Sequence, residues 1–254
     1  MESICIKQQA SKAISNDLPV QKFSWLIAVG ASAGGVATLK ELLLNLPEQL
    51  INITVFIGFP IDKSNKQLLQ AAVNTNRSIT IKQARHGEEI QTGIIYYIGP
   101  GYELNIKATH LQLNITTETV QSNPVDKLFE SLSVTAGEKS VTIVLSGKGT
   151  DGAKGIKILK KAGGYVIVQS PTTAMYNAMP IAAIKTNAAD LVIPPFKMGS
   201  AIWSAVQLQQ VTVGKCAFQT EPGNRQALLQ TAMGINKNGV TPSTAPYFFL
   251  GALF

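Results

Sequence analysis

Residues 25–35, Trp-Leu-Ile-Ala-Val-Gly-Ala-Ser-Ala-Gly-Gly, restrict the fold more than any other stretch of the chain. The apolar run Trp25 to Val29 is long enough for a strand buried on both faces, and it gives way abruptly to small residues around a single hydroxyl, Ser32. Val36 to Leu46 then places Leu39, Leu42, Leu43 and Leu46 at helical spacing. A buried strand, a tight turn and an amphipathic helix make one unit of a parallel sheet, with Ser32 on the turn. In such sheets ligands gather beyond the carboxyl ends of the strands, where helix starts offer free N–H groups to negative charge. Two readings of the turn remain open: a merely tight connection, or a nucleophilic serine that small neighbours leave approachable. Gly30, Gly34 and Gly35 do not have the dinucleotide spacing, no Gly-Lys-Ser/Thr follows, and the run is not the Gly-x-Ser-x-Gly elbow of the α/β-hydrolases.

The same pattern recurs downstream. Ile53 to Ile57 is a second apolar strand closed by Gly58-Phe59-Pro60, and Asp62 or Ser64 caps a helix through about Asn74 with Leu68, Leu69 and Val73 inward. Ile79 to Ala84 reads as a third strand. Ile94–Ile98, Glu103–Lys107 and Leu111–Ile115 are short segments separated by turn residues, and they predict an antiparallel hairpin set on one sheet edge. A helix from Pro124 carries Val125, Leu128, Phe129 and Leu132. Ser140 to Leu145 is again a buried run, ending in Ser146-Gly-Lys-Gly-Thr-Asp-Gly152 before a lysine-rich helix that Gly163-Gly164 terminates. Tyr165–Gln169 and Leu191–Ile193 complete the strands, Pro180–Thr186 is a helix, and Phe196–Leu208 a closing helix. Alternation on this scale predicts an α/β fold: a doubly wound, mostly parallel sheet with right-handed crossovers and an antiparallel hairpin on one edge. Ser32 and Asp151 then end two strands on one rim. Asp151 is either a helix N-cap or a carboxylate that orients a catalytic base.

At 254 residues and 45% hydrophobic content the chain can bury a full core. The expected division is a loose leader over 1–22, one α/β domain over 23–208 and a C-terminal extension of uncertain order over 209–254, whose apolar end, Pro246 to Phe254, docks on a partner or, as expected first, on the domain. Cys5 and Cys216 form no metal or redox spacing, and neither a metal nor a cofactor is expected. No run approaches the roughly 20 apolar residues of a membrane span, and the start lacks the pattern of a secretory signal. A cytoplasmic protein without membrane insertion is expected. The net charge of +7 comes from scattered lysines without aromatic interleaving, which speaks against nucleic acid as a partner.

Val29-Gly-Ala-Ser-Ala-Gly-Gly35, Val144-Leu-Ser-Gly-Lys-Gly-Thr-Asp-Gly-Ala153 and Tyr176-Asn-Ala-Met-Pro-Ile-Ala-Ala-Ile184 together resemble the catalytic domain of the CheB protein-glutamate methylesterases of bacterial chemotaxis. Gly87-Glu88 through Tyr97-Ile-Gly-Pro100 and the helix Pro124-Val-Asp-Lys-Leu-Phe-Glu-Ser-Leu132 extend the likeness, which runs colinearly from about residue 25 to 195. The resemblance implies hydrolysis of glutamate methyl esters, or deamidation of glutamines, on chemoreceptors by a Ser-His-Asp triad. By motif, Ser32 matches the nucleophile and Asp151 the orienting carboxylate. Lys148 falls where a backbone N–H serves the oxyanion hole. The implied partner is a methyl-accepting chemoreceptor or another chemosensory protein.

Two departures stand out. The family's Gln-His-Leu or Gln-His-Met is matched to Gly58-Phe59-Pro60, so Phe59 stands at the lost base position, and a phenyl ring cannot accept the serine proton. Of the two remaining histidines, His110 falls in a hairpin turn and His86 on the correct rim, expected two strands or roughly 10 Å from Ser32. The short leader leaves no room for the phosphoacceptor receiver domain that usually precedes such a domain, so phosphorylation control in cis is expected to be absent. The resulting expectation is a methylesterase-type domain impaired in turnover. The alternative is a pseudoenzyme acting as a receptor-binding or adaptor module.

Overall fold

Among the described residues, seven parallel strands form one sheet, and those at its centre are the runs apolar on both faces. The computed structural model describes residues 25–48, 50, 53–73, 79–116 and 122–214, with side chains to 207; the leader 1–22 and positions 215–254 of the extension lie outside them. The strands are β1 (Trp25–Gly30), β2 (Ile53–Pro60), β3 (Thr80–Gln83), β4 (Ile94–Ile98), β7 (Ser140–Val144), β8 (Tyr165–Gln169) and β9 (Leu191–Ile193), in the order β3-β4-β2-β1-β7-β8-β9. A separate antiparallel pair, β5 (Tyr102–Lys107) and β6 (His110–Ile115), turns through Ala108 in the left-handed region at φ 52°. The helices are α1 (Gly35–Leu44), α2 (Lys63–Val73), α3 (Pro124–Ala136), α4 (Ala153–Lys161), α5 (Ala178–Lys185) and α6 (Pro195–Gly214).

The period of two along each strand divides the core into two layers. Ile27, Val29, Ile57, Ile143 and Ile167 meet Leu39, Leu42 and Leu43 of α1, Leu69 and Val73 of α2, and Met198 and Ile202 of α6. Leu26, Ala28, Phe56, Val144 and Val168 face the other way, onto Val125, Leu128 and Phe129 of α3, Ile156 and Leu159 of α4, and Met179 of α5. The hairpin adds Leu104, Ile106 and Leu111 to this second layer. It is fixed to α3 by the Ile106 N–H donating to Ser131 Oγ at 3.0 Å and by the Lys127–Glu103 ion pair at 2.8 Å.

The doubly wound, mostly parallel sheet is as expected, with one reassignment. Ile94–Ile98 belongs to the parallel sheet, between β3 and β2, and only the following two strands form the hairpin. The physical reason is visible in the run Ile-Ile-Tyr-Tyr-Ile: it does not alternate, and Ile95 to Ile98 are buried on both faces. Asp62 caps α2, its Oδ1 accepting the Asn65 N–H at 2.8 Å. Leu68, expected to face inward, is half-exposed, while Leu69 and Val73 are buried. The closing helix continues past Leu208 to Gly214.

Candidate active site

The strand order winds from β1 through β2 to one side and from β1 through β7 to the other, which makes the carboxyl ends of β1 and β7 the switch point of the sheet. The turn after β1 holds Ser32 and the turn after β7 holds Ser146 to Gly152. Ser32 donates its N–H to the Ser146 carbonyl at 3.1 Å, and the Ser32 carbonyl accepts from Gly35 N–H at 3.0 Å. Gly34 adopts φ 76°, which a side chain would strain, and this bend starts α1 directly behind the serine. The Ser32 side chain is exposed, so a group on another macromolecule can reach it.

Ser146, fully buried, ties three loops together. Its hydroxyl donates to the Ala33 carbonyl at 2.9 Å and accepts from the Tyr176 N–H at 3.0 Å. Its N–H donates to Gln169 Oε1 at 2.7 Å, and Gln169 Nε2 reaches the Thr173 carbonyl at 3.0 Å. Gly147 donates to the Tyr176 carbonyl at 2.9 Å, and a Cβ on Gly147 would come within 3.1 Å of Ser32 Cβ and 2.0 Å of Met179 Sδ. A side chain at position 147 would crowd both Met179 and Ser32, so glycine there lets the two turns meet this closely. Lys148 follows, exposed, with its ammonium 4.9 Å from the centre of the Tyr176 ring. The sequence marks Ser146 and Gln169 only as small-residue turn and strand end; their joint role depends on a contact 23 residues apart.

Asp151 caps a helix, but not the one that follows it. Its Oδ2 accepts the Val125 N–H at 3.1 Å and its Oδ1 the Asp126 N–H at 2.9 Å, so it holds the first turn of α3. Asp126 answers by accepting the Gly155 N–H of α4 at 2.7 Å. Val125 stands over β1: a Cβ on Gly30 would lie 2.2 Å from Val125 Cγ1, and one on Gly152 would lie 2.9 Å from the same atom. Asp151 thus holds the helix start that packs on the end of β1. Burial pushes its carboxyl above the usual range, against the pull of the N–H bonds from Asp126 and Val125.

The remaining positions fall elsewhere. Phe59 is buried in the α1-side layer, its ring 3.5 Å from where a Gly35 Cβ would sit. His86 follows β3, and because β4 lies between β3 and β2 it is three strand spacings from Ser32, about 14 Å rather than the two expected. Its Nδ1 lies 3.2 Å from the Leu113 N–H, on the hairpin. His110 begins β6, with its Nδ1 3.1 Å from Thr109 Oγ1. Among the described residues no cluster of acidic, histidine or cysteine side chains could hold a metal ion, and no helix is long and apolar enough to cross a membrane.

Residues 27–202 match the family described as CheB methylesterase. A putative protein-glutamate methylesterase/protein-glutamine glutaminase of Leptospira interrogans is 36% identical over 172 residues, covering 66% of this chain and 87% of that protein. Protein-glutamate methylesterase/protein-glutamine glutaminase 2 of Bordetella avium is 33% identical over 185 residues, 69% of this chain but only 51% of the longer relative. The crystal structure of the Thermotoga maritima CheB methylesterase catalytic domain superposes with a TM-score of 0.61 at 26% identity, covering 72% of this chain and 98% of that one. With the parallel order, the two small-residue turns and the extent of the match in hand, the chain belongs to the CheB methylesterase family.

Proposed function

We propose that this chain is a protein-glutamate methylesterase-type domain of a chemosensory system, acting on glutamate methyl esters or glutamine amides of a chemoreceptor with much reduced turnover. In this reading Ser32 is the nucleophile, the Lys148 N–H stabilises the oxyanion, and Asp151 is the carboxylate that an imidazole would need. The observation that carries it is the whereabouts of both histidines in the sequence: His86 is engaged by the hairpin backbone and His110 stands at the hairpin turn. Phe59, matched to the base by sequence, offers no proton acceptor. A serine without its base keeps only what oxyanion stabilisation and binding supply, several powers of ten below a complete triad.

The same observation favours a second reading, a receptor-binding or adaptor module without turnover. Methanol release from a methylated receptor separates the two. The first reading expects slow release that disappears with Ser32→Ala. Release indistinguishable from that of Ser32→Ala, with receptor binding intact in a pull-down, selects the second.

A further inference from the structure

We infer that Pro60, not Phe59, fills the place from which a side chain would link Ser32 to Asp151, so that a histidine completes the site at position 60 and nowhere else on β2. The inference rests on the reading of Ser32 as nucleophile given above.

Strand register places the candidates. Ala28 pairs with Phe56 and Val29 with Ile57, where the ladder between the two strands ends; carried past that end, the same offset sets Phe59 level with Ala31 and Pro60 level with Ser32. Side-chain parity then decides between them. Val29, Ala31, Ile57, Phe59 and Ile61 all enter the layer beneath α1. Gly30 and Gly58 face the opposite layer: a Cβ on Gly30 would strike Val125, and one on Gly58 would come within 2.9 Å of Leu128 Cδ2. The α3 face is the one on which Asp151 holds Val125 and Asp126. The next residue of that parity on β2 is Pro60, and Ser32, past the end of β1, lies against Gly147, where an added Cβ would come within 3.1 Å of Ser32 Cβ. The register of β2 against β4 shifts between Phe56 and Pro60, yet Ile57, Phe59 and Ile61 stay in one layer, so the alternation survives the irregularity.

Burial agrees. Phe59 is only 6% exposed, whereas Pro60 is exposed at the rim. Two strand spacings, about 10 Å, separate the ends of β2 and β7. Between them lies β1, and Val125, whose N–H Asp151 holds, packs its Cγ1 against Gly30 at the end of that strand. Proline has no N–H, so its replacement breaks no backbone hydrogen bond. An imidazole at position 59 would instead be forced into an apolar layer, which costs stability and disfavours its charged form.

The test uses the full chain carrying Pro60→His or Phe59→His, each alone and with Asp151→Asn, and follows the introduced imidazole by NMR titration. At position 60 it is expected to titrate above the ordinary value of about 6.5 and to fall back when Asp151→Asn is added. At position 59 it is expected to lower the melting temperature and to ignore Asp151→Asn. Fluorophosphonate labelling of Ser32 and methanol release are expected to rise about 10² to 10⁴-fold with Pro60→His alone. An imidazole at 60 that is indifferent to Asp151→Asn overturns the inference, as does coupling to Asp151 from position 59. Should Phe59→His fail to fold, the titration at position 60 decides by itself. Coupling at 60 with faster labelling but no methanol from the receptor upholds the inference and instead removes the proposed substrate.

Discussion

Asp151 shows how one carboxylate can serve architecture whether or not it serves chemistry. Its two oxygens satisfy two of the N–H groups that α3 leaves unpaired at its start, where a negative charge also complements the helix dipole. Replacing it by alanine removes both bonds, and Asp151→Ala is expected to lower unfolding stability by about 1–2 kcal/mol in urea titrations. The pH dependence has a definite sign. Burial raises the folded carboxyl above its unfolded value, so the contribution of Asp151 is fully present below the unfolded pKa, near 3.9, and declines as pH rises through the folded one. The loss on Asp151→Ala should therefore be larger at pH 4 than at pH 7. A loss that grows with pH would mean that the N–H bonds outweigh burial.

The contact between α3 and α4 depends on Gly155. A Cβ there would lie 2.8 Å from the Asp126 carbonyl oxygen and 2.7 Å from Phe129 Cβ, so the helices touch backbone to backbone, and the Asp126 carboxylate can reach the Gly155 N–H. Gly155→Ala forces the pair apart. Although alanine is the better helix former by about 1 kcal/mol, overpacking of this kind costs about 1–3 kcal/mol and is expected to win. Calorimetry should show a lower melting temperature for Gly155→Ala. An unchanged or raised value would mean that α4 shifts without loss.

Across the fold, the strands differ in how thoroughly they are enclosed. β1 has hydrogen-bonded neighbours on both sides and helices over both faces, as have β2 and β7, whereas β3 and β9 are edges. Hydrogen exchange followed by mass spectrometry should find peptides spanning 26–30, 54–57 and 141–144 the slowest, with 80–83, 191–193 and the hairpin exchanging first. Protection of β9 equal to that of β1 would contradict this order. The hairpin is joined to the rest through α3 and through residues 86–90, with Leu111 N–H donating to the Glu88 carbonyl at 2.8 Å. It also meets His86, which follows the edge strand β3, through the Leu113 N–H, 3.2 Å from Nδ1.

Apolar runs ending in small residues determined the parallel sheet, the two turns and the positions of Ser32 and Asp151 on strand ends, because a strand buried on both faces leaves a signature in consecutive residues. Five colinear motifs carried the family resemblance through the same residues. Only the tertiary structure decided what lay between those signals. Whether Ile94–Ile98 enters the parallel sheet depends on partners that pair with it from 14 and 40 residues earlier, beginning with Thr80 and Val55. Whether Asp151 caps its own helix or another depends on α3 arriving over Gly30, and which layer Phe59 enters depends on where α1 and α3 pack against the sheet. Local pattern encodes burial, but direction across a sheet is set by which layer each face meets, and that is a property of the assembled fold.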